Sequence, residues 1–108
     1  MSTTGFVCNM NALSPEQRVR HRQLEKLLRS ALVAAHELSN GYDFEFRKHK
    51  TVYAALTEIT PLEHACCPFF TIRVGREQAG ALFWQLTGSE GVKQFIQMEF
   101  AEWFHALR

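Results

Sequence analysis

The sequence has no apolar run that approaches the roughly 18 residues needed to span a membrane. Residues 1–11 have no basic stretch followed by an apolar one, so we predict no secretory signal and a cytoplasmic protein. An excess of one charge is also missing, because 12 Lys and Arg residues face 11 Asp and Glu residues for a net charge of +1. This balance gives no reason to expect nucleic acid or a membrane surface as a partner.

Several common functional motifs are missing as well. The sequence has no Gly-rich phosphate-binding loop, no Cys-x-x-Cys pair and no local Ser/His/Asp set. We therefore predict neither a P-loop nor the most common zinc-binding motif. The chain has three cysteines, which is an odd number. In a reducing compartment we expect them to be free thiols or metal ligands rather than structural disulfides.

Apolar and aromatic side chains are abundant. They make up 46% of the 108 residues and include nine phenylalanines, a composition typical of a globular protein with an aromatic core. The length and the lack of any linker or repeat predict a single domain over residues 1–108. Residues 1–11 carry a small apolar group, so this arm either docks on the domain or stays loose.

Two long helices are predicted in the first two thirds of the chain. Residues 14–17, Ser-Pro-Glu-Gln, form a capping box that predicts a helix over 15–38, which Asn40-Gly41 would end. A second helix is predicted over 51–60, with a bent continuation over 61–66 because Pro61 removes a backbone hydrogen bond.

The predicted strands alternate apolar and polar residues. They cover residues 42–47, 69–74 and 81–87, and the last two form a hairpin. A capping box at 87–90 predicts a final helix over 91–107. The order α-β-α-β-β-α predicts an α+β fold, in which helices cover one face of a mostly antiparallel sheet of three strands.

The final helix has a broad apolar face that suggests a second role. The face consists of Val92, Phe95, Ile96, Phe100, Trp103 and Leu107. A homodimer interface would explain so much apolar surface, and burial within the chain would also explain it.

The densest chemistry lies in residues 61–70, Pro-Leu-Glu-His-Ala-Cys-Cys-Pro-Phe-Phe. On a helix, Glu63 shares a face with both Cys66 and Cys67. One interpretation is structural, because free cysteine often packs as a small buried hydrophobe. Two adjacent cysteines point to different faces, however, and we do not expect both in one core.

A second interpretation is a metal or metalloid site. Thiolates select soft ions, and zinc accepts mixed sulfur, imidazole and carboxylate ligands. The carbonyl end of a helix favours a cation. Cys8 is the candidate third sulfur, and His21 or His64 is the candidate nitrogen.

A third interpretation is a thiol redox enzyme. Placement at a helix C-terminus argues against this chemistry, because the helix dipole there raises the pKa of a thiol. His64 or Arg73 would have to compensate.

Four segments resemble a family of small bacterial proteins for which no activity is assigned. They are residues 8–18, 41–46, 62–70 and 86–92, and the most specific part is the motif Glu-x-x-Cys-Cys-Pro-Phe. Where the family has proline in its Thr-Gly-Pro-Glu-Gly turn, this chain has Ser89. The resemblance implies that six residues belong to one site: Cys8, Arg18, His21, Glu63, Cys66 and Cys67.

Together these observations favour a binding protein over an enzyme. We predict a metal site formed by Cys8, Glu63, Cys66, Cys67 and His21 that holds zinc or another soft ion or acts as a thiol sensor. The alternative is an interaction module with unreactive buried cysteines that dimerises through the final helix. A thiol redox enzyme comes third.

Overall fold

The computed structural model of the chain describes residues 6–77 and 80–108. Within them the fold is α+β, with four α-helices and one antiparallel sheet of four strands in the order β1-β2-β4-β3. The elements are a 3₁₀ turn Met10–Ala12, α1 Pro15–Ala31, β1 Leu32–Leu38, β2 Gly41–Phe46, α2 Lys50–Cys66, β3 Thr71–Arg76, β4 Leu82–Thr87, α3 Val92–Glu99 and α4 Ala101–Ala106.

Two predictions are wrong here. The sheet has four strands rather than three, and the second half of the helix predicted over 15–38 is a strand. Helix α1 begins at Pro15 with the predicted capping box, but it ends at Ala31, and strand β1 follows directly. Strands β1 and β2 form a hairpin in which Leu38 pairs with Gly41. The Asn40-Gly41 pair is thus a hairpin signal rather than a helix cap, and the apolar spacing of residues 31–38 suits either structure.

Helix α2 is continuous through Pro61 and begins one residue before the predicted start. The imidazole of His49 caps it by accepting the Thr51 N–H through Nδ1 at 3.1 Å. Near the proline, the Thr60 hydroxyl donates to the Leu56 carbonyl at 2.7 Å and accepts from Trp84 Nε1 at 3.0 Å. This bridge holds the proline-containing turn against β4.

The predicted final helix is divided into α3 and α4 at Phe100. Gly91 forms its N-cap with φ at 95° and no side-chain cap bond is present, so the predicted capping box at residues 87–90 is wrong. The apolar face lies mostly in the core, where Val92, Phe95, Ile96, Phe100 and Trp103 are all buried. The homodimer stays a prediction, and this face does not support it because its side chains are buried within the chain.

Helices α2 and α4 contact the inner face of the sheet, where Trp84 donates to Thr60 and Phe44 packs on Trp103. The inner face presents six buried side chains from the two central strands, Tyr42, Phe44, Phe46, Leu82, Trp84 and Leu86. Helices α1 and α2 pack on each other above this face. In residues 6–77 and 80–108 no helix has the length and apolar character of a membrane span.

Candidate thiol and metal site

The N-terminal arm, residues 6–13, folds back onto the end of α2. The Asn9 N–H donates to the Cys66 carbonyl at 2.7 Å, and the Phe6 ring lies 4.9 Å from that of Phe69. Arg18 holds the arm from α1 by donating through Nη1 to the Leu13 carbonyl at 2.8 Å. The docked arrangement is thus found for residues 6–11, while residues 1–5 lie outside the described residues.

The arm carries Cys8 to Cys67, and the two residues form a disulfide with a Cα–Cα distance of 4.6 Å. They are 59 residues apart in the sequence. This differs from the expectation of three free thiols. That expectation came from the odd cysteine count and the assumed reducing compartment. Neither of them predicts which cysteines become neighbours in the folded chain.

Cys66 is the remaining free cysteine of the described chain and lies beside the disulfide. Its Sγ is 3.6 Å from Cys67 Sγ and 3.5 Å from the Glu63 carbonyl oxygen. Both adjacent cysteines are buried, contrary to the expectation that one core could not hold them. Cys66 is the last helical residue, and Cys67 leaves the helix with φ at −129° and ψ at 69°, so the turn points both side chains inward.

Glu63 connects the sulfurs to α1. Its Oε2 lies 3.5 Å from Cys67 Sγ, and its Oε1 lies 2.7 Å from His21 Nε2. Both side chains are nearly inaccessible to solvent. Burial lowers the pKa of His21, but the hydrogen bond with Glu63 and the charges of Glu63, Glu25 and Glu99 outweigh it, so the pKa is raised.

The same surroundings keep Cys66 protonated. Burial and then the negative charge of Glu63 raise the pKa of its thiol to about 12. A nucleophilic cysteine needs a thiolate at neutral pH, so the structure disfavours Cys66 as an attacking group. A bound cation would act in the opposite direction, because metal coordination deprotonates a thiol.

Two sets of donor atoms share Glu63. Cys8, Glu63 and Cys67 form the first set, and His21, Glu63 and Cys66 form the second. Within each set the donor atoms lie within 4.8 Å of one another. The five residues predicted for the metal site are therefore brought together, although as two overlapping groups.

The other sequence candidates lie apart from the donor atoms. His64 is exposed on the outer side of α2, and Arg73 is exposed on β3. Arg18 holds the arm instead of contacting a sulfur. Glu25 and Glu99, which were not among the candidates from the sequence, add negative charge near His21. Glu25 follows His21 by four residues on α1, which is a signal for a shared helix face.

Comparison of the chain with models of protein families, with curated proteins and with solved structures finds no match in any of the three. The resemblance based on the Glu-x-x-Cys-Cys-Pro-Phe motif thus stays a prediction, and the functional case depends on the geometry of the site.

Proposed function

We propose that the protein binds a soft metal or metalloid ion through Cys8, Cys66 and Cys67 when all three are reduced. The observation that carries the proposal is the convergence of three sulfurs from two distant parts of the chain, where Cys66 and Cys67 are buried and Cys8 is half-buried. Three thiolates suit a soft ion in trigonal coordination. The Glu63 carboxylate beside them favours a positively charged centre.

The Cys8–Cys67 disulfide would then be the closed form of the site. A cellular dithiol supplies two electrons and two protons, and the disulfide becomes two thiols while the reductant becomes a disulfide. Opening frees Cys8 and Cys67 as ligands. The cytoplasmic location predicted from the sequence fits this role, because a reducing compartment keeps cysteines in the thiol form.

Binding, rather than catalysis, is favoured by the state of Cys66. A thiol whose pKa is raised to about 12 is a poor nucleophile at neutral pH. The same thiol becomes a good ligand once an ion displaces its proton. A redox enzyme is therefore the weaker proposal.

Arsenite is the sharpest probe for the reduced chain. Each thiol proton leaves with one hydroxyl of arsenous acid as water, so one arsenic bound to three sulfurs removes all three thiols from titration. We expect one arsenic per reduced chain by mass spectrometry, and weaker binding by Cys8→Ser and by Cys66→Ser. Zn²⁺ serves as a second probe.

The oxidised chain is the matched control, because its closed disulfide leaves one thiol. If arsenite leaves all thiols of the reduced, folded chain reactive, the protein has no soft-ion site. The alternative interaction module with unreactive cysteines is then the better proposal.

A further inference from the structure

We propose that His21, Glu63 and Cys66 form a second site, which binds a divalent cation of intermediate softness such as Zn²⁺ while the Cys8–Cys67 disulfide is closed. The proposed sulfur site and this mixed site share the Cys66 thiol, and Glu63 lies beside both. The Zn²⁺ site itself does not depend on the proposed function, and only the exchange between the two sites does.

The donor atoms carry the proposal. One imidazole nitrogen, one carboxylate and one thiol lie within 4.8 Å of one another, and all three residues are buried. Zinc accepts these three ligand types in a single site. Three protein ligands leave the fourth position of a tetrahedral ion for water or another small ligand.

The ligands are held on rigid elements. His21 comes from α1 and Glu63 and Cys66 from α2, two 17-residue helices that pack on each other. The contact of 2.7 Å between His21 Nε2 and Glu63 Oε1 already directs both groups to one point. A metal ion replaces the proton shared in this contact and the proton of the Cys66 thiol, so two protons are released.

The surrounding charge also suits a divalent cation. Glu25 on α1 and Glu99 on α3 act on His21 together with Glu63. Glu25 is half-buried and Glu99 is exposed, so two further carboxylates add negative charge near this imidazole. Within this group an ion with two positive charges offsets more of the negative charge than a single imidazolium does.

None of the three ligands takes part in the disulfide, so oxidation leaves this set complete. Cys66 belongs to this set and is also one of the three sulfurs of the proposed reduced site, and Glu63 Oε2 lies 3.5 Å from Cys67 Sγ of that site. Because both sites need the Cys66 thiolate, the chain binds one ion at a time. The redox state of Cys8 and Cys67 therefore selects the class of ion.

The test uses the fully oxidised protein with Co²⁺ as a spectroscopic probe and Zn²⁺ as competitor. We expect one Co²⁺ per chain with a thiolate-to-cobalt charge-transfer band, and Zn²⁺ displaces it. The band disappears in Cys66→Ser. In His21→Ala the affinity falls by more than about 100-fold, because changes even in outer-shell partners cost about 10- to 100-fold. His64 is exposed and follows Glu63 in the sequence, so His64→Ala is the control and should bind Co²⁺ with wild-type affinity.

The absence of the charge-transfer band in the oxidised wild-type chain would overturn the proposal, whether or not the variants fold. Cobalt binding of wild-type strength in both Cys66→Ser and His21→Ala would overturn it as well. Arsenite binding by the reduced chain separates this proposal from the previous one. If the oxidised chain binds cobalt but the reduced chain does not bind arsenite, only the sulfur site is excluded. If the reduced chain binds arsenite but the oxidised chain does not bind cobalt, only the mixed site is excluded.

Discussion

At the scale of single residues, Glu63 is the most constrained side chain of the site. Each carboxylate oxygen has its own neighbour, His21 Nε2 for Oε1 and Cys67 Sγ for Oε2. Five residues earlier on the same helix, Glu58 also contacts α1, through an ion pair with Arg20 at 2.6 Å. The two pairs differ in environment, because the second is exposed to solvent.

We therefore expect Glu63→Ala to destabilise the metal-free, oxidised protein by about 3 kcal/mol, since removing one partner of a buried pair leaves the other uncompensated. Glu58→Ala is the matched control and should cause a much smaller loss, because water solvates Arg20 when its partner is removed. Urea denaturation at neutral pH measures both. Equal losses in the two variants would contradict the burial argument.

Asp43 is the second residue whose environment predicts a measurable effect. Burial is the largest effect and raises the pKa of its carboxyl group, and the charges of Glu77 and Glu45 raise it further. The charge of His36 and a hydrogen bond from Gln85 lower the pKa but do not cancel this rise. Its Oδ1 has no hydrogen-bond partner among the described residues. An acid whose pKa is raised by folding destabilises the protein when ionised, and the penalty disappears as pH falls through the raised pKa to the ordinary one.

Asp43→Asn should consequently raise the thermal midpoint at pH 7 and lose this advantage in acid. Thermal denaturation followed by circular dichroism across this pH range measures the effect. Glu37→Gln is the control on the neighbouring strand, because it removes a carboxylate that pairs with Lys93 instead. An advantage for Asp43→Asn that is the same at all pH values would exclude ionisation as its cause.

At the scale of elements, local sequence signals were sufficient for α1, β2 and β4, although the capping box predicted at residues 87–90 is wrong. The Ser14–Gln17 capping box placed the start of α1, and strict alternation placed β2 and β4 with the correct inner faces. Prediction failed for β1 because residues 31–38 fit helical and extended spacing equally. Pairing with β2 decided between them, and pairing partners are not a local property.

The start of α1 gives the prediction at this scale. Ser14 Oγ accepts the Gln17 N–H at 3.1 Å, and Gln17 Oε1 accepts the Ser14 N–H at 2.8 Å. Ser14→Ala removes the first of these bonds, so we expect a loss of about 1 kcal/mol in the free energy of unfolding.

Ser30→Ala is the control for the cap, because that hydroxyl donates to the Leu27 carbonyl inside the same helix. Its replacement should change stability little, since alanine is the better helix former. Guanidinium denaturation of both variants provides the comparison. If the Ser30 variant loses more than the Ser14 variant, the cap does not stabilise α1 as described.

At the scale of the whole molecule, the disulfide is the one covalent cross-link among the described residues. It ties an arm that precedes all the regular α-helices and strands to the end of α2. The local part of the site, Glu63, Cys66 and Cys67, could be found from spacing alone. Cys8 and either His21 or His64 were candidate ligands from their residue types, and the resemblance selected His21. The disulfide pairing could not be predicted because it depends on the tertiary path of the arm.

Reduction of the disulfide should lower the free energy of unfolding by about 4 kcal/mol, as loop-closure entropy predicts for a separation of 59 residues. Urea denaturation with and without a reductant, in a metal-free buffer, measures the difference. Cys66→Ser retains the disulfide and should show the same dependence on reductant, whereas Cys8→Ser should show none. Identical stability of the oxidised and reduced wild-type chains would contradict the prediction.

The free edge of β1 has a further consequence. The register shifts between Leu32 and Ala34, beside Val33, whose surface is 52% exposed at the rim of the sheet. A straight edge offers evenly spaced amide groups on which strands from other molecules can grow, and a bulge interrupts that spacing. We therefore expect the irregularity to hinder fibril growth at this rim, so that concentrated solutions of the folded protein remain clear.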